Sequence, residues 1–307
     1  MNQKRLIAIL LALSVSIPAL FVGCEGLPEA GTEFGRAVGV IDDDQADSIL
    51  RVGKAVEKTW QDLTPEQEYY IGRAVAAKVF QTYPPLDRAQ ANDYLNVLGQ
   101  SLVIFSDRPE TFGGYHFILL DSNEINAFAA PGGLILVTRG LVQCCQNEDE
   151  LAAVLAHEIA HVEKKHGLTA IKSARLTSAL TILGAEGAKQ LAGDDLAQVV
   201  GDFEGSVGDV VKTLTVSGYS QKQERSADDG AVEILRRAGY PGTALITMLQ
   251  RMDQRLGSTG GGFGDTHPSA QSRIDSVSSE IVGTSVAASP ARQQRFAKAM
   301  QTVVAVN

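Results

Sequence analysis

The chain has 307 residues, of which 44% are hydrophobic and 21% charged, and its formal net charge is −9 at pH 7. This acidic balance argues against a nucleic-acid partner and against attachment to anionic lipid headgroups by charge alone. The length is sufficient for one large domain or two small ones, and the apolar content for a real core.

The amino terminus has the pattern of a secretory signal. Lys4 and Arg5 precede an apolar run, Leu6 to Val22, which ends in Gly23-Cys24. A small residue followed by cysteine resembles the processing site of bacterial lipoproteins, in which the cysteine becomes lipidated. We therefore expect a membrane anchor on Cys24; an uncleaved amino-terminal anchor or a plain secretory cleavage is the alternative.

Composition and pattern divide the chain into four parts. We expect a signal peptide over 1–23, the lipidated cysteine and a tether with a short helix over 24–60, the main domain over 61–285, and a carboxy-terminal helix over 286–307. The tether is rich in Gly, Glu and Asp and has little hydrophobic periodicity, which is typical of a linker.

Capping signals and hydrophobic periodicity predict several helices and two short strands in the main domain. A Pro131-Gly132-Gly133 turn separates the two strands. The predicted helices cover 65–83, 87–105, 147–166, 221–237, 243–256 and 270–281, and the strands cover 115–120 and 134–138.

Two further segments carry weaker patterns. Residues 168–216 are rich in Ala, Gly, Leu and Val, and predict one or two amphipathic helices with a break near 193–208. Cys144 and Cys145 are adjacent, which disfavours an ordinary disulfide between them. We interpret them as two small, partly buried residues just before a helix rather than as a redox device.

The stretch His157-Glu158-Ile159-Ala160-His161 carries the clearest chemistry. Residues four apart lie on one face of a helix, so both imidazoles can reach one metal ion. Glu158 lies on the same turn, where it can touch a water bound to that ion. The chain has only five histidines, so chance placement is a poor explanation of this pattern.

A catalytic zinc ion needs a third protein ligand and an open position for water. Glu224 and Asp228 lie one turn apart on a predicted helix, so that Glu224 can bind zinc and Asp228 can accept the free N–H of a ligand histidine. The spacing alone is weak, because such pairs are common on solvated helices. We expect His166 to point to another side of its helix, in a structural or capping role.

The two motifs together, His157-Glu158-x-x-His161 and Glu224-x-x-Ala227-Asp228, resemble metallopeptidase family 48. This gluzincin family includes the CAAX prenyl endopeptidases, a bacterial heat-shock membrane protease and periplasmic proteases of outer-membrane assembly. The segment from Asn126 to Gly133 and the motif Thr266-His267-Pro268 agree with the resemblance. Because 25–307 has no stretch long enough to cross a bilayer, the soluble, lipid-tethered members are the better match.

The resemblance implies a zincin-type metalloprotease domain, α+β and mainly α-helical, with a small sheet next to the helix of the two histidines. It also implies one Zn²⁺ per chain with Glu224 as third ligand. Glu158 would serve as general base. His267 and Arg273 are the candidates for stabilising the oxyanion; His267 is alternatively a fourth zinc ligand that closes the site, or a cap on the following helix.

The second strand suggests how a substrate binds. Leu134, Ile135, Leu136 and Val137 would form an edge strand beside the metal helix, to which an extended peptide adds through main-chain hydrogen bonds. This mode demands little of the substrate's sequence, and suits unfolded or misassembled envelope polypeptides.

The leading hypothesis is therefore a periplasm-facing zinc endopeptidase, anchored by lipid to the inner or outer membrane. The main alternative is an envelope chaperone or assembly factor whose zinc site is mostly closed. A hydrolase of peptidoglycan peptides is a third hypothesis. The two main hypotheses differ over whether the function needs the Glu158 carboxylate.

Overall fold

The computed structural model describes residues 63–171, 194–259, 269–279, 281 and 289–304. All of them belong to one unit, Leu63–Asn307. The expected signal peptide, the tether with its helix, Cys24 and His267 lie outside the described residues. None of the described helices has both the length and the hydrophobicity that crossing a bilayer requires.

The described part is mainly helical with one small sheet, which confirms the predicted fold class. A π-helical turn, Thr213–Ser217, follows the helix that ends at Lys212. The helices are α1 (Pro65–Thr82), α2 (Ala89–Val103), α3 (Arg139–Cys144), α4 (Glu148–Glu163), α5 (His166–Thr169), α6 (Asp194–Lys212), α7 (Gln221–Arg237), α8 (Thr243–Thr259), α9 (Ala270–Ser278) and α10 (Pro290–Val304), and the strands are β1 (His116–Leu120), β2 (Ala127–Ala130) and β3 (Leu134–Thr138).

The sheet has the order β1-β3-β2, with β1 parallel and β2 antiparallel to β3. The prediction that Leu134 to Val137 form an edge strand is therefore wrong, because β3 lies in the centre with all five residues buried. An unbroken apolar run is typical of a strand covered on both sides. The sequence predicts the neighbour β1, as the strand over 115–120, but contains no signal that this strand pairs with β3. The other neighbour, β2, is not among the predicted strands and lies directly before the Pro131-Gly132-Gly133 turn.

The outer edge of β1 is covered by side-chain amides of α2. Asn96 bonds both the N–H and the C=O of Phe117, at 3.0 and 2.6 Å. Asn92 accepts from the Leu119 amide at 3.0 Å, and Gln100 donates to the Tyr115 carbonyl. These three side chains follow each other at intervals of four residues, so one face of α2 supplies most of the hydrogen bonds that another strand would make. The Leu86 amide supplies one more, to the Leu119 carbonyl at 2.8 Å.

Helix α4 begins as predicted, with the Asn147 side chain accepting from the Glu150 amide at 2.9 Å. Its predicted end at His166 is wrong. The helix ends at Glu163, and Lys165 then adopts a left-handed conformation with φ 55° and ψ 30°. Gly167 does not close the helix but belongs to the short helix α5.

Two other predictions about helices differ from the structure. Thr138 caps a short helix, α3, which was not predicted and which ends at Cys144. The two cysteines also lie just before α4, as predicted. Both cysteines are buried and free. The predicted break near 193–208 is wrong, since α6 continues from Asp194 to Lys212. A Cβ at Gly201 or Gly208 would meet no atom of the described residues within 4 Å.

Helix α4 lies among α2, α7, α8, α10 and β2, and is buried from Leu151 to Val162. The first turn of α4 is hydrogen-bonded to the carboxy-terminal helix, α10. Glu148 is buried and accepts hydrogen bonds from Tyr94, Tyr240 and Arg295. The helix predicted over 286–307 is thus present as α10 and packs against the metal-motif helix.

Candidate metal centre

Helices α4 and α7 bring His157, His161 and Glu224 together in the interior. The two Nε2 atoms of the histidines lie 3.0 Å apart. The Glu224 carboxylate oxygens lie 3.6 Å from His157 Nε2 and 3.5 Å from His161 Nε2. All three side chains are buried.

This donor set fits a zinc ion. Two imidazole nitrogens and a carboxylate are a usual ligand set of catalytic zinc, and bonds of about 2.0–2.2 Å in a tetrahedron separate ligand atoms by about 3.3–3.6 Å. The observed separations of 3.0, 3.5 and 3.6 Å are close to these values. The predicted ligands therefore converge as one ion would require.

Helix α7 approaches α4 closely because of its local sequence. Ser220 and Gln223 form a reciprocal capping box that fixes its start, so Glu224 falls in the first turn. Ala227 is fully buried, and a Cβ on Gly230 would lie 2.8 Å from the Ala160 Cβ. Small residues at the helix contact thus let the Glu224 carboxylate reach both histidines.

Asp228, one turn after Glu224, contacts the Nδ1 side of the His157 ring. Its Oδ1 lies 2.9 Å from His157 Nδ1. Burial by itself would raise the pKa of Asp228, but the Arg273 guanidinium and the His157 ring outweigh burial and hold that pKa well below its usual range. The carboxylate therefore stays charged and accepts the Nδ1–H of His157, which leaves Nε2 to face the metal position.

Arg273 contacts the same group of side chains. Its Nε and one terminal nitrogen donate to Asp228 at 2.9 and 2.6 Å, and the other terminal nitrogen lies 3.7 Å from Glu224. These are the contacts of a positioning residue behind the ligands. The predicted contact of Arg273 with an oxyanion remains a prediction, as does the role of His267.

Glu158 is 2% exposed, and one of its carboxylate oxygens, Oε1, has no hydrogen-bond partner among the described residues. Burial raises the pKa of Glu158 to about 7; the charge of Glu224 adds to this effect, while His157 and Arg273 oppose it. A carboxylate with a pKa near neutrality and an open oxygen is suited to taking up and releasing a proton.

His161 meets two side chains that were not predicted as site residues. His166 Nδ1 lies 2.9 Å from His161 Nδ1, and the Tyr219 ring stacks on the His161 ring with centroids 4.2 Å apart. The prediction that His166 points elsewhere is wrong, because the left-handed Lys165 turns the chain back. Burial lowers the pKa of His166 to about 4. The available signal for Tyr219 was an aromatic residue directly before the Ser220 cap.

A buried helix with two histidines one turn apart, and a glutamate from a second helix, define a gluzincin type of metal centre. The sequence model of Peptidase family M48 matches residues 89–281, which is more than half of the chain. The chain belongs to this family.

Curated relatives agree with this assignment. The Beta-barrel assembly-enhancing protease of Escherichia coli (strain K12) is 29% identical over 278 residues, which cover 89% of this chain and 51% of the relative. Metalloprotease LoiP of the same organism is 24% identical over 87% of this chain and 94% of the relative. The Mitochondrial metalloendopeptidase OMA1 of Schizosaccharomyces pombe is 34% identical over 50% of this chain and 42% of the relative. The chain thus spans about half the length of the first of these.

Proposed function

We propose that this chain is a zinc-dependent endopeptidase of the bacterial cell envelope, which hydrolyses peptide bonds in misfolded or misassembled envelope proteins. One observation carries the proposal. One potential ligand atom each from His157, His161 and Glu224 lies within 4.8 Å of the others, next to Glu158, whose Oε1 has no partner in the described part of the chain. The names of the relatives, which are proteases, support the same class of reaction.

The residues of the site have different roles in the proposed mechanism. When bound, zinc would polarise the scissile carbonyl and make water more acidic. Glu158 takes a proton from the attacking water and returns it to the leaving amine, and its pKa of about 7 suits both transfers. Asp228 and Arg273 keep His157 in the tautomer and orientation that ligation needs.

Because β3 lies in the centre of the sheet, we propose that an extended substrate peptide adds to the edge of β2 instead. Among the described residues β2 pairs only with β3, and it packs against the metal helix α4, whereas the outer edge of β1 is already bonded to α2. An extended peptide adding to β2 would be held by main-chain hydrogen bonds, with little demand on its sequence. Such binding suits unfolded polypeptides as substrates.

The burial of the site also favours a second candidate, an envelope chaperone or assembly factor with a mostly closed zinc site. No residue of β2 is more than 3% exposed, and the turn Thr213–Ser217 contacts this strand. His157 and Glu158 are each 2% exposed. We expect a peptide to reach the edge of β2 only after the turn Thr213–Ser217 has moved away from it.

The location follows from the amino-terminal pattern. We propose that lipidated Cys24 anchors the protein to the inner or outer membrane with the domain facing the periplasm. The Escherichia coli relative is named for enhancing β-barrel assembly. By analogy, the polypeptides cleaved here would be envelope proteins that fail to assemble.

The test compares the wild type with Glu158→Gln, which keeps the size of the side chain but removes the base. Glu163→Gln, on the same helix, is the matched control. We expect Glu158→Gln to retain zinc and fold but to lose cleavage of an unfolded polypeptide such as reduced casein, while the control cleaves normally. Unchanged cleavage by Glu158→Gln would sink the peptidase proposal. Full complementation of a deletion strain by this variant would support the chaperone instead.

A further inference from the structure

The two histidines of the metal centre are held by different partners. His157 rests on the Asp228 carboxylate, at 2.9 Å. His161 instead has an imidazole, His166, at its Nδ1 and the Tyr219 ring on its face. The proposed mechanism assigns no task to His166, although it is buried and only 6% exposed.

Hydrogen-bond accounting fixes the direction of the contact between the two histidines. His161 turns Nε2 towards His157 Nε2 and Glu224, so this nitrogen must be free of a proton to bind a metal ion. A neutral imidazole then carries its proton on Nδ1. The 2.9 Å contact is therefore a donation from His161 Nδ1–H to the bare Nδ1 of His166.

The backbone after α4 turns in a way that brings His166 back to His161. Five residues along a regular helix would place His166 about 140° around the axis from His161. Lys165 instead adopts φ 55° and ψ 30°, and it is the one non-glycine residue with a positive φ in the described part of the chain. Such a conformation is costly without glycine and clusters at functional sites.

The Tyr219 ring completes the enclosure of His161. It lies nearly parallel to the imidazole, at an interplanar angle of 20°, and thereby fixes the plane of the ring. The hydrogen bond to His166 lies at the ring's edge and fixes the rotation within that plane. Together the two contacts leave His161 little freedom to turn away from the metal position.

We propose that His166 is a positioning residue that accepts the Nδ1–H of His161, and so fixes the tautomer and ring angle in which His161 binds the metal. The inference rests on the proposed zinc site. His166 does for His161 what Asp228 does for His157, with a neutral acceptor in place of a charged one. Its loss would weaken metal retention before it affected any chemical step.

Zinc affinity of the whole chain, measured by competition with a chromophoric chelator, tests this role. In His166→Asn, the amide oxygen lies about where Nδ1 was and can still accept, whereas His166→Leu fills the space without accepting. We expect His166→Asn to bind zinc within about threefold of wild type, and His166→Leu about 10–100-fold more weakly. The visible spectrum of the cobalt-substituted protein should change in His166→Leu only. His116→Leu, which alters an exposed histidine, is the control.

Each outcome decides a different point. Wild-type affinity and spectrum in His166→Leu would overturn the proposal, and so would equal losses in the Leu and Asn variants, because packing rather than acceptance would then matter. A wild type that binds zinc no better than His161→Ala would instead refute the zinc site on which the proposed function depends.

Discussion

Asn96 bonds Phe117 as a neighbouring strand would, accepting from its N–H at 3.0 Å and donating to its C=O at 2.6 Å. The contact turns one side chain of α2 into a substitute for a backbone pair at the edge of β1. It leaves β2 as the strand of this sheet to which a peptide could add. The substrate proposal therefore depends on α2 as well as on the metal helix.

Replacing Asn96 by leucine should destabilise the domain by about 2–4 kcal/mol, because a buried N–H and a buried C=O lose their partners together. Gln90→Leu changes an exposed residue of the same helix and serves as control, with an expected cost below about 0.5 kcal/mol. Urea unfolding of both variants measures the difference. Equal free energies of unfolding for the two variants would show that the amide is dispensable.

The left-handed conformation of Lys165 leads to a prediction about backbone strain. Glycine adopts a left-handed conformation without a steric penalty, so Lys165→Gly should be more stable than Lys165→Ala by roughly 1 kcal/mol. Both variants lose the ammonium group that lies 3.7 Å from Glu68, which cancels in the comparison. At Lys164, where φ is −85°, the order should reverse. The same order at both positions would contradict a strained Lys165.

The Tyr83 hydroxyl gives a pH-dependent prediction. It donates to Glu124 at 2.8 Å, and burial, with a smaller effect of Glu124, raises the pKa of Tyr83 to about 12. In the unfolded chain the pKa of tyrosine is about 10. The folded state thus favours the protonated phenol, and this contribution to stability is complete below about pH 10 and is lost as the pH rises towards the folded value.

The measurement is the difference in free energy of unfolding between wild type and Tyr83→Phe. We expect wild type to lead by about 1 kcal/mol near neutral pH, the usual value of one hydrogen bond. This lead should shrink above about pH 10. Tyr70→Phe, at a tyrosine that is 47% exposed, should show no such trend. A lead that does not change with pH would refute the raised pKa.

The candidate ligands of the metal centre could be predicted from the sequence because the signals for them are mostly local. Two histidines four residues apart share a helix face wherever that helix lies, and the capping pair Asn147 and Glu150 marked the start of α4. The convergence of Glu224 with these histidines came from the family resemblance. Spacing on one helix says nothing about which distant helix will pack against it.

Features that depend on neighbours or on one unusual residue escaped prediction. The place of β3 in the sheet depends on β1 and β2. The same apolar pattern occurs in a central strand and in a buried edge strand, so the pattern cannot distinguish the two positions. The contact between His166 and His161 depends on a left-handed Lys165, which no propensity favours. Local pattern therefore identified the chemistry, while long-range pairing set its surroundings.

The zinc content of the whole chain tests the central claim most directly. Wild type and Glu224→Ala would be dialysed together against a weak chelator and analysed by inductively coupled plasma mass spectrometry. If His157, His161 and Glu224 hold one ion, wild type should retain about one zinc per chain and Glu224→Ala only a small fraction of that. Equal zinc in the two proteins, or none in wild type, would contradict the account.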